Sequence, residues 1–144
     1  MNIKTAKALL RYAKQYMDLG NLRVGLGTGW CYMPEEQGIL VMEREDEDHL
    51  DINHNYWYMG YIETEFNLKL TYDDIEIFSL FHELGHHMNG WIDDPEVYRY
   101  LTEEAGSSMY DYRQIPDERK ADEFAVEFIR EHYTDLVEIY NKLN

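Results

Sequence analysis

One segment limits the folds open to this chain: an apolar stretch that carries His-Glu-Leu-Gly-His at residues 82–86. Ile75, Phe78, Leu80, Phe81 and Leu84 recur at helical spacing, Asp73 or Asp74 can cap the start, and Glu76 places negative charge in the first turn. The pattern predicts a buried helix from about Asp74 to Met88. Within it His82 and His86 stand at i and i+4, so they share a face with Cβ atoms about 5–6 Å apart. Two imidazoles so placed can converge on one ion, at Zn–N distances of about 2.0–2.1 Å. Glu83 lies about 100° round the helix from His82, outside the ligand set but in reach of a water at the ion, where a general base belongs. The competing reading of these residues is a helix with two hydrogen-bonded core histidines.

Length and charge narrow the setting. A chain of 144 residues is the size of a single domain, 1–144, with one real core. Its formal net charge of −16 repels phosphates and anionic lipid, which argues against direct nucleic-acid or membrane binding. The only cysteine, Cys31, can form neither an intrachain disulfide nor a cysteine metal cluster, and a reducing, cytoplasmic compartment fits it. Lys4, Lys7, Arg11 and Lys14 interrupt the N-terminal region, so no signal peptide or membrane helix is expected. Nothing in the sequence signals an oligomeric state.

The predicted architecture is α+β: an N-terminal helix, a small, mostly antiparallel sheet, the motif helix, and C-terminal helices. Ile3, Ala6, Leu9, Leu10, Ala13 and Met17 form an apolar stripe opposite the four cations, and Gly20-Asn21 ends this first helix. From Leu22 to about Asn67, glycines, Pro34 and short apolar runs predict two to four strands. Gly25, Gly27 and Gly29 lack the lysine of a phosphate loop and instead offer a strand edge to an extended peptide. Glu43–Asp51 reads as an exposed charged loop. Further helices are expected after Pro95, from Pro116 (Ala121, Phe124, Ala125, Phe128, Ile129), and over Leu136–Leu143, with Gly106-Ser107-Ser108 as a break.

A catalytic zinc site needs a third protein ligand and an open position. The extended pattern HExxHxxGxxH fails, because Asn89 and Ile92 occupy its glycine and final histidine positions. Acids on the later amphipathic run remain: Glu118, Asp122 and Glu123. Glu118 and Asp122 are again i and i+4, so one helix can present both, Glu118 as a ligand and Asp122 as the carboxylate that orients a ligand histidine from behind. Taken alone, they read equally as two solvated helix acids.

HELGHH followed about thirty residues later by Glu118-Arg119-Lys120-Ala121-Asp122-Glu123-Phe124-Ala125 resembles the ImmA/IrrE family of zinc metallopeptidases, whose pattern joins HExxH to E-x-x-A-[ND]-x-F-A. Both motifs match in full, and the rest of the chain resembles the family in its order of elements. The resemblance implies Zn²⁺ held by His82, His86 and Glu118 in a gluzincin-like site, with Glu83 as base. It implies a metallo-endopeptidase from a bacterial, phage or mobile-element setting whose substrate is a protein or peptide, with a transcriptional repressor as the leading example. The alternative is a non-catalytic, zinc-containing regulatory protein that docks a basic partner through its acidic surface. His87, Tyr98, Tyr100, Tyr110 and Tyr112 are in reach as donors to a developing oxyanion, and the sequence does not choose among them. His49, His54 and His132 have no ligand spacing.

Overall fold

The structure, a computed structural model, describes residues 1–90 and 108–144. Its first element, α1 (Ile3–Ala13), is capped by Asn2, whose side chain accepts from the Thr5 amide at 2.7 Å. Ala6, Leu9, Leu10 and Ala13 are buried while Lys4, Lys7, Arg11 and Lys14 are exposed, as the two stripes require. The helix ends at Ala13, well before Gly20, because the amides of Gln15 and Tyr16 turn to the carbonyls of Tyr12 and Ala13 and tighten the last turn.

Among the described residues three strands follow: β1 (Arg23–Leu26), β2 (Cys31–Met33) and β3 (Gly38–Val41). Their order is β1-β3-β2. β3 pairs parallel with β1 (Arg23 opposite Gly38) and antiparallel with β2 (Cys31 opposite Leu40), so the sheet is mixed rather than mostly antiparallel. Placing the last strand in the middle leaves β2 on an edge. A Cβ on Gly27 would lie 3.0 Å from Leu40, so glycine lets the end of β1 lie against β3.

The strands stop at Val41, and the expectation of strands as far as Asn67 is corrected by a helix. α2 (His49–Phe66) begins with a reciprocal capping box: Asp51 N donates to Asp48 at 2.9 Å, and Asp48 N donates to Asp51 at 3.0 Å. It ends at Asn67 in the left-handed region, φ 54°. Only Tyr58, Tyr61 and Ile62 of α2 are buried, while Leu50 and Tyr56 are exposed, so its apolar residues form no single stripe for a periodicity argument to find. The charged run before it is exposed as expected, but its Arg44–Asp46 portion is a 3-10 turn and its end is already the start of α2.

α3 (Tyr72–Met88) is the motif helix, capped by Thr71 through a second capping box with Asp74 rather than by Asp73 or Asp74 itself. Every residue from Asp74 to His86 except Ser79 is buried. A short α4 (Met109–Arg113), capped by Ser108, precedes α5 (Pro116–Leu143). The two helices expected at the C-terminus are one, because no Gly or Pro lies between Ile129 and Leu136 and the buried positions Ala121, Ala125, Phe128, Ile129, Leu136 and Tyr140 keep to one face. The expected helix from Pro95 and the start of the Gly106 break lie outside the described residues.

The core is α3 packed against α5, with α1, α2 and the sheet closing the other sides. Phe81 stacks on Phe128 with ring centroids 4.7 Å apart. Nearer the motif, a Cβ on Gly85 would fall 3.0 Å from the Cα of Ala121 and 3.1 Å from its carbonyl oxygen. The small pair Gly85/Ala121 therefore sets how closely the two helices cross. Among the described residues no helix is long and apolar enough to cross a membrane.

Candidate metal centre

The crossing of α3 and α5 puts the two motifs face to face. His82, His86 and Glu118 are all buried, and their ligand-type atoms converge: His82 Nε2 lies 3.1 Å from His86 Nε2 and 2.9 Å from Glu118 Oε2, and His86 Nε2 lies 3.3 Å from Glu118 Oε1. A tetrahedral ion with bonds of about 2.0–2.1 Å separates its ligand atoms by roughly 3.3 Å. The three side chains are thus already spaced to hold a metal ion. Glu118 and Asp122 are buried with His82 and His86, so they are not two solvated helix acids.

Asp122 lies one turn beyond Glu118, behind His82. Its Oδ1 accepts from His82 Nδ1 at 2.8 Å, which fixes the ring so that Nε2 faces Glu118 and His86. Tyr58, from α2, donates its hydroxyl to the same Asp122 oxygen. Arg113 lies with its guanidinium 3.9 Å above the Tyr58 ring and Nη1 3.5 Å from Glu118 and 3.6 Å from Asp122. Tyr112 donates to Glu118 Oε1 at 2.9 Å. These four partners balance two buried carboxylates, yet Glu118 Oε2 and Asp122 Oδ2 still lack an aligned hydrogen-bond donor. His82 Nε2 and Glu118 Oε2, 2.9 Å apart, face each other as a buried pair.

Electrostatics follow from that crowding. Burial pushes the His82 imidazole down, but Asp122 and Glu118 outweigh it and hold its pKa at about 10. Burial acts upward on Glu118 and loses to the imidazoles of His82 and His86, which keep its carboxyl far below the ordinary range. Without an ion, a proton on His82 supplies the missing positive charge. Glu83 is the opposite case: desolvation raises its pKa, and the neighbouring imidazoles offset only part of this. Its carboxylate borders a cleft of about 300 Å³ that also reaches His82, His86 and Glu118, walled on one side by Trp30, Cys31 and Tyr32 around edge strand β2.

Of the residues with no ligand spacing, His132 is boxed by Tyr12, Tyr16 and Phe128, and His49 is an exposed residue of the first turn of α2. His54 borders the cleft, and burial, then Arg113, hold it below its ordinary value. His87 is tied at both nitrogens, donating to Leu19 O at 2.9 Å and accepting from Tyr32 at 2.8 Å, which removes it as an oxyanion donor. Tyr110 packs on Tyr61, and Tyr98 and Tyr100 lie outside the described residues. Sequence reasoning missed Tyr58, Arg113 and the close crossing at Gly85. Only the last had a signal, a glycine inside a strong helix that costs about 1 kcal/mol relative to alanine unless packing requires it. Comparison of the chain with protein-family models, curated proteins and solved structures finds no match.

Proposed function

We propose that the chain is a zinc-dependent metallo-endopeptidase of the ImmA/IrrE kind, acting on a protein substrate such as a transcriptional repressor. One observation carries this reading: two distant segments bring two imidazoles and a carboxylate to a common point, with Glu83 beside them on the cleft. A His₂–carboxylate set of N and O donors suits Zn²⁺. Such an ion, when bound, supplies a Lewis acid for a peptide carbonyl and makes water at the site more acidic.

The chain's own residues do the rest. Glu83 takes a proton from water as the water oxygen bonds to the peptide carbon, and passes it to the amine nitrogen as the C–N bond breaks. Its raised pKa suits a group that must both accept and release a proton near neutrality. Asp122, anchored by Tyr58, keeps the His82 ring turned toward the centre. The strongly acidic chain favours a substrate with a basic surface, as a DNA-binding repressor has.

The regulatory alternative uses the same ligands and differs at Glu83, which it makes dispensable. Wild type and Glu83→Gln, both loaded with zinc, are incubated with the repressors encoded beside its gene, and fragments are read by mass spectrometry. Fragments from wild type alone support the peptidase. Fragments from both remove Glu83 as the base, and intact repressors from both favour the regulatory protein.

A further inference from the structure

A peptide hydrolase must steady the carbonyl oxygen as it gains charge, and one well-placed donor is worth about 10²–10³ in rate. Most polar groups around the cleft are already committed. Tyr58 is buried and donates to Asp122, and Arg113 is closed in by the Tyr58 ring and two carboxylates. Asn55 donates to Glu47 and to Tyr72, and His54 turns Nδ1 toward Met109.

Tyr112 also donates, to Glu118, but unlike Tyr58 and Arg113 it is exposed. It borders the cleft, is 40% exposed, and has its hydroxyl 2.9 Å from the Glu118 oxygen that lies 3.3 Å from His86 Nε2. Its donor therefore points at the place where the ligand atoms meet. α4 holds it there: Tyr110 packs edge-on against Tyr61, and Gln114 donates to the Tyr61 hydroxyl at 3.0 Å. A carboxylate that shares its charge with a cation accepts a hydrogen bond less strongly, so an occupied site frees this hydroxyl for another acceptor.

We propose that Tyr112 is a catalytic residue of this site, donating a hydrogen bond to the carbonyl oxygen of the scissile peptide. The inference rests on the peptidase reading. As the water oxygen bonds to the carbon, the carbonyl π pair moves onto oxygen and is met by the Tyr112 O–H. Tyr112 keeps its proton throughout. The pair returns as the C–N bond breaks and the amine takes the proton from Glu83.

The test uses Co²⁺-loaded wild type and Tyr112→Phe, with N-phosphoryl-Leu-Trp as a tetrahedral oxyanion probe read through the visible absorption of cobalt. Phenylalanine keeps the ring and removes only the hydroxyl of a half-exposed side chain, and circular dichroism checks that the variant folds. The expected result is a loss of probe affinity of about 10-fold or more, with Co²⁺ affinity within about 3-fold of wild type. Equal probe affinity in both proteins overturns the role of Tyr112 and leaves the peptidase reading standing. A fall in Co²⁺ affinity with unchanged probe affinity at loaded sites makes Tyr112 a positioning residue for Glu118 and overturns the proposal. Wild type that holds Co²⁺ but ignores the probe removes the peptidase reading, and the proposal with it.

Discussion

Two clusters of buried polar groups sit on the same helix and behave differently. Near the start of α3, Glu76 faces two full cations: Arg44 reaches its Oε1 at 2.8 Å, the Met1 amino group lies 2.6 Å from Oε2, and Arg44 is itself held by Asp73 at 2.7 Å and by the Tyr140 hydroxyl at 3.2 Å. Asp74 beside it accepts from Tyr133 at 2.7 Å. There, each carboxylate oxygen of Glu76 has a full positive charge beside it, although Oε2 receives no directed hydrogen bond. Near the end of α3, the ligand-type atoms of His82, His86 and Glu118 converge at 2.9–3.3 Å, Asp122 accepts from the far nitrogen of His82, and Arg113 is the guanidinium beside both carboxylates. A carboxylate matched by two fixed cations needs no further ion, whereas two imidazoles and a carboxylate that converge on one point could hold a metal ion.

The sharpest way to break this contrast is to remove one carboxylate from each cluster. Glu118→Ala should lower zinc affinity by more than the roughly 10–100-fold typical of losing an outer partner, because a ligand itself is lost. Glu76→Ala should leave zinc affinity alone and lower unfolding stability by about 1.5–3 kcal/mol, the usual worth of a hydrogen bond to a charged group. Chelator competition and urea unfolding on both variants decide it. An equal loss of zinc from each would erase the distinction between the clusters.

Asp122→Asn tests whether the carboxylate behind His82 tunes the ion. A fall in zinc affinity of about 10–100-fold with the fold retained is expected, and unchanged affinity would show that the His82 tautomer needs no help.

Acidity should separate the clusters next. With its folded pKa raised to about 10, His82 must lose a proton before it can bind an ion. Zinc affinity should therefore climb by about tenfold per pH unit between roughly pH 6.5 and 8.5. In ion-free protein the sign for stability is the reverse. The stabilisation from charged His82 is complete below its unfolded pKa of about 6.5 and is lost as pH rises toward its folded value. Zinc affinity that is flat over this window would mean the ligand imidazoles are already neutral.

The smallest effect concerns the helix crossing. Gly85→Ala gains helix propensity but drives a methyl into the backbone of Ala121, for a net loss of about 1 kcal/mol and weaker zinc binding as Glu118 moves away. A variant with higher melting temperature and full zinc affinity would show that the helices have room to spare.

Much of the site was legible because it is written in helical period. His82 and His86 at i and i+4, and Glu118 and Asp122 at i and i+4, each need only local geometry to share a face. α1 and the amphipathic start of α5 were readable for the same reason. α2 was not, since its tyrosines and tryptophan favour strands locally and only contacts with α3 and α5 select Tyr58, Tyr61 and Ile62 for burial. Missing α2 hid Tyr58, and the short helix before Pro116 gave no periodic signal that Arg113 turns inward.

The sequence by itself determined the donors, their pairing along each helix, and the α+β class, because side-chain chemistry and helical period are local properties. Tertiary structure alone decided that the two pairs meet, through the glycine–alanine crossing of α3 and α5, and that β3 enters the middle of the sheet and leaves β2 at the cleft. Those outcomes depend on which surfaces pack across long separations in the chain, where no local rule reaches.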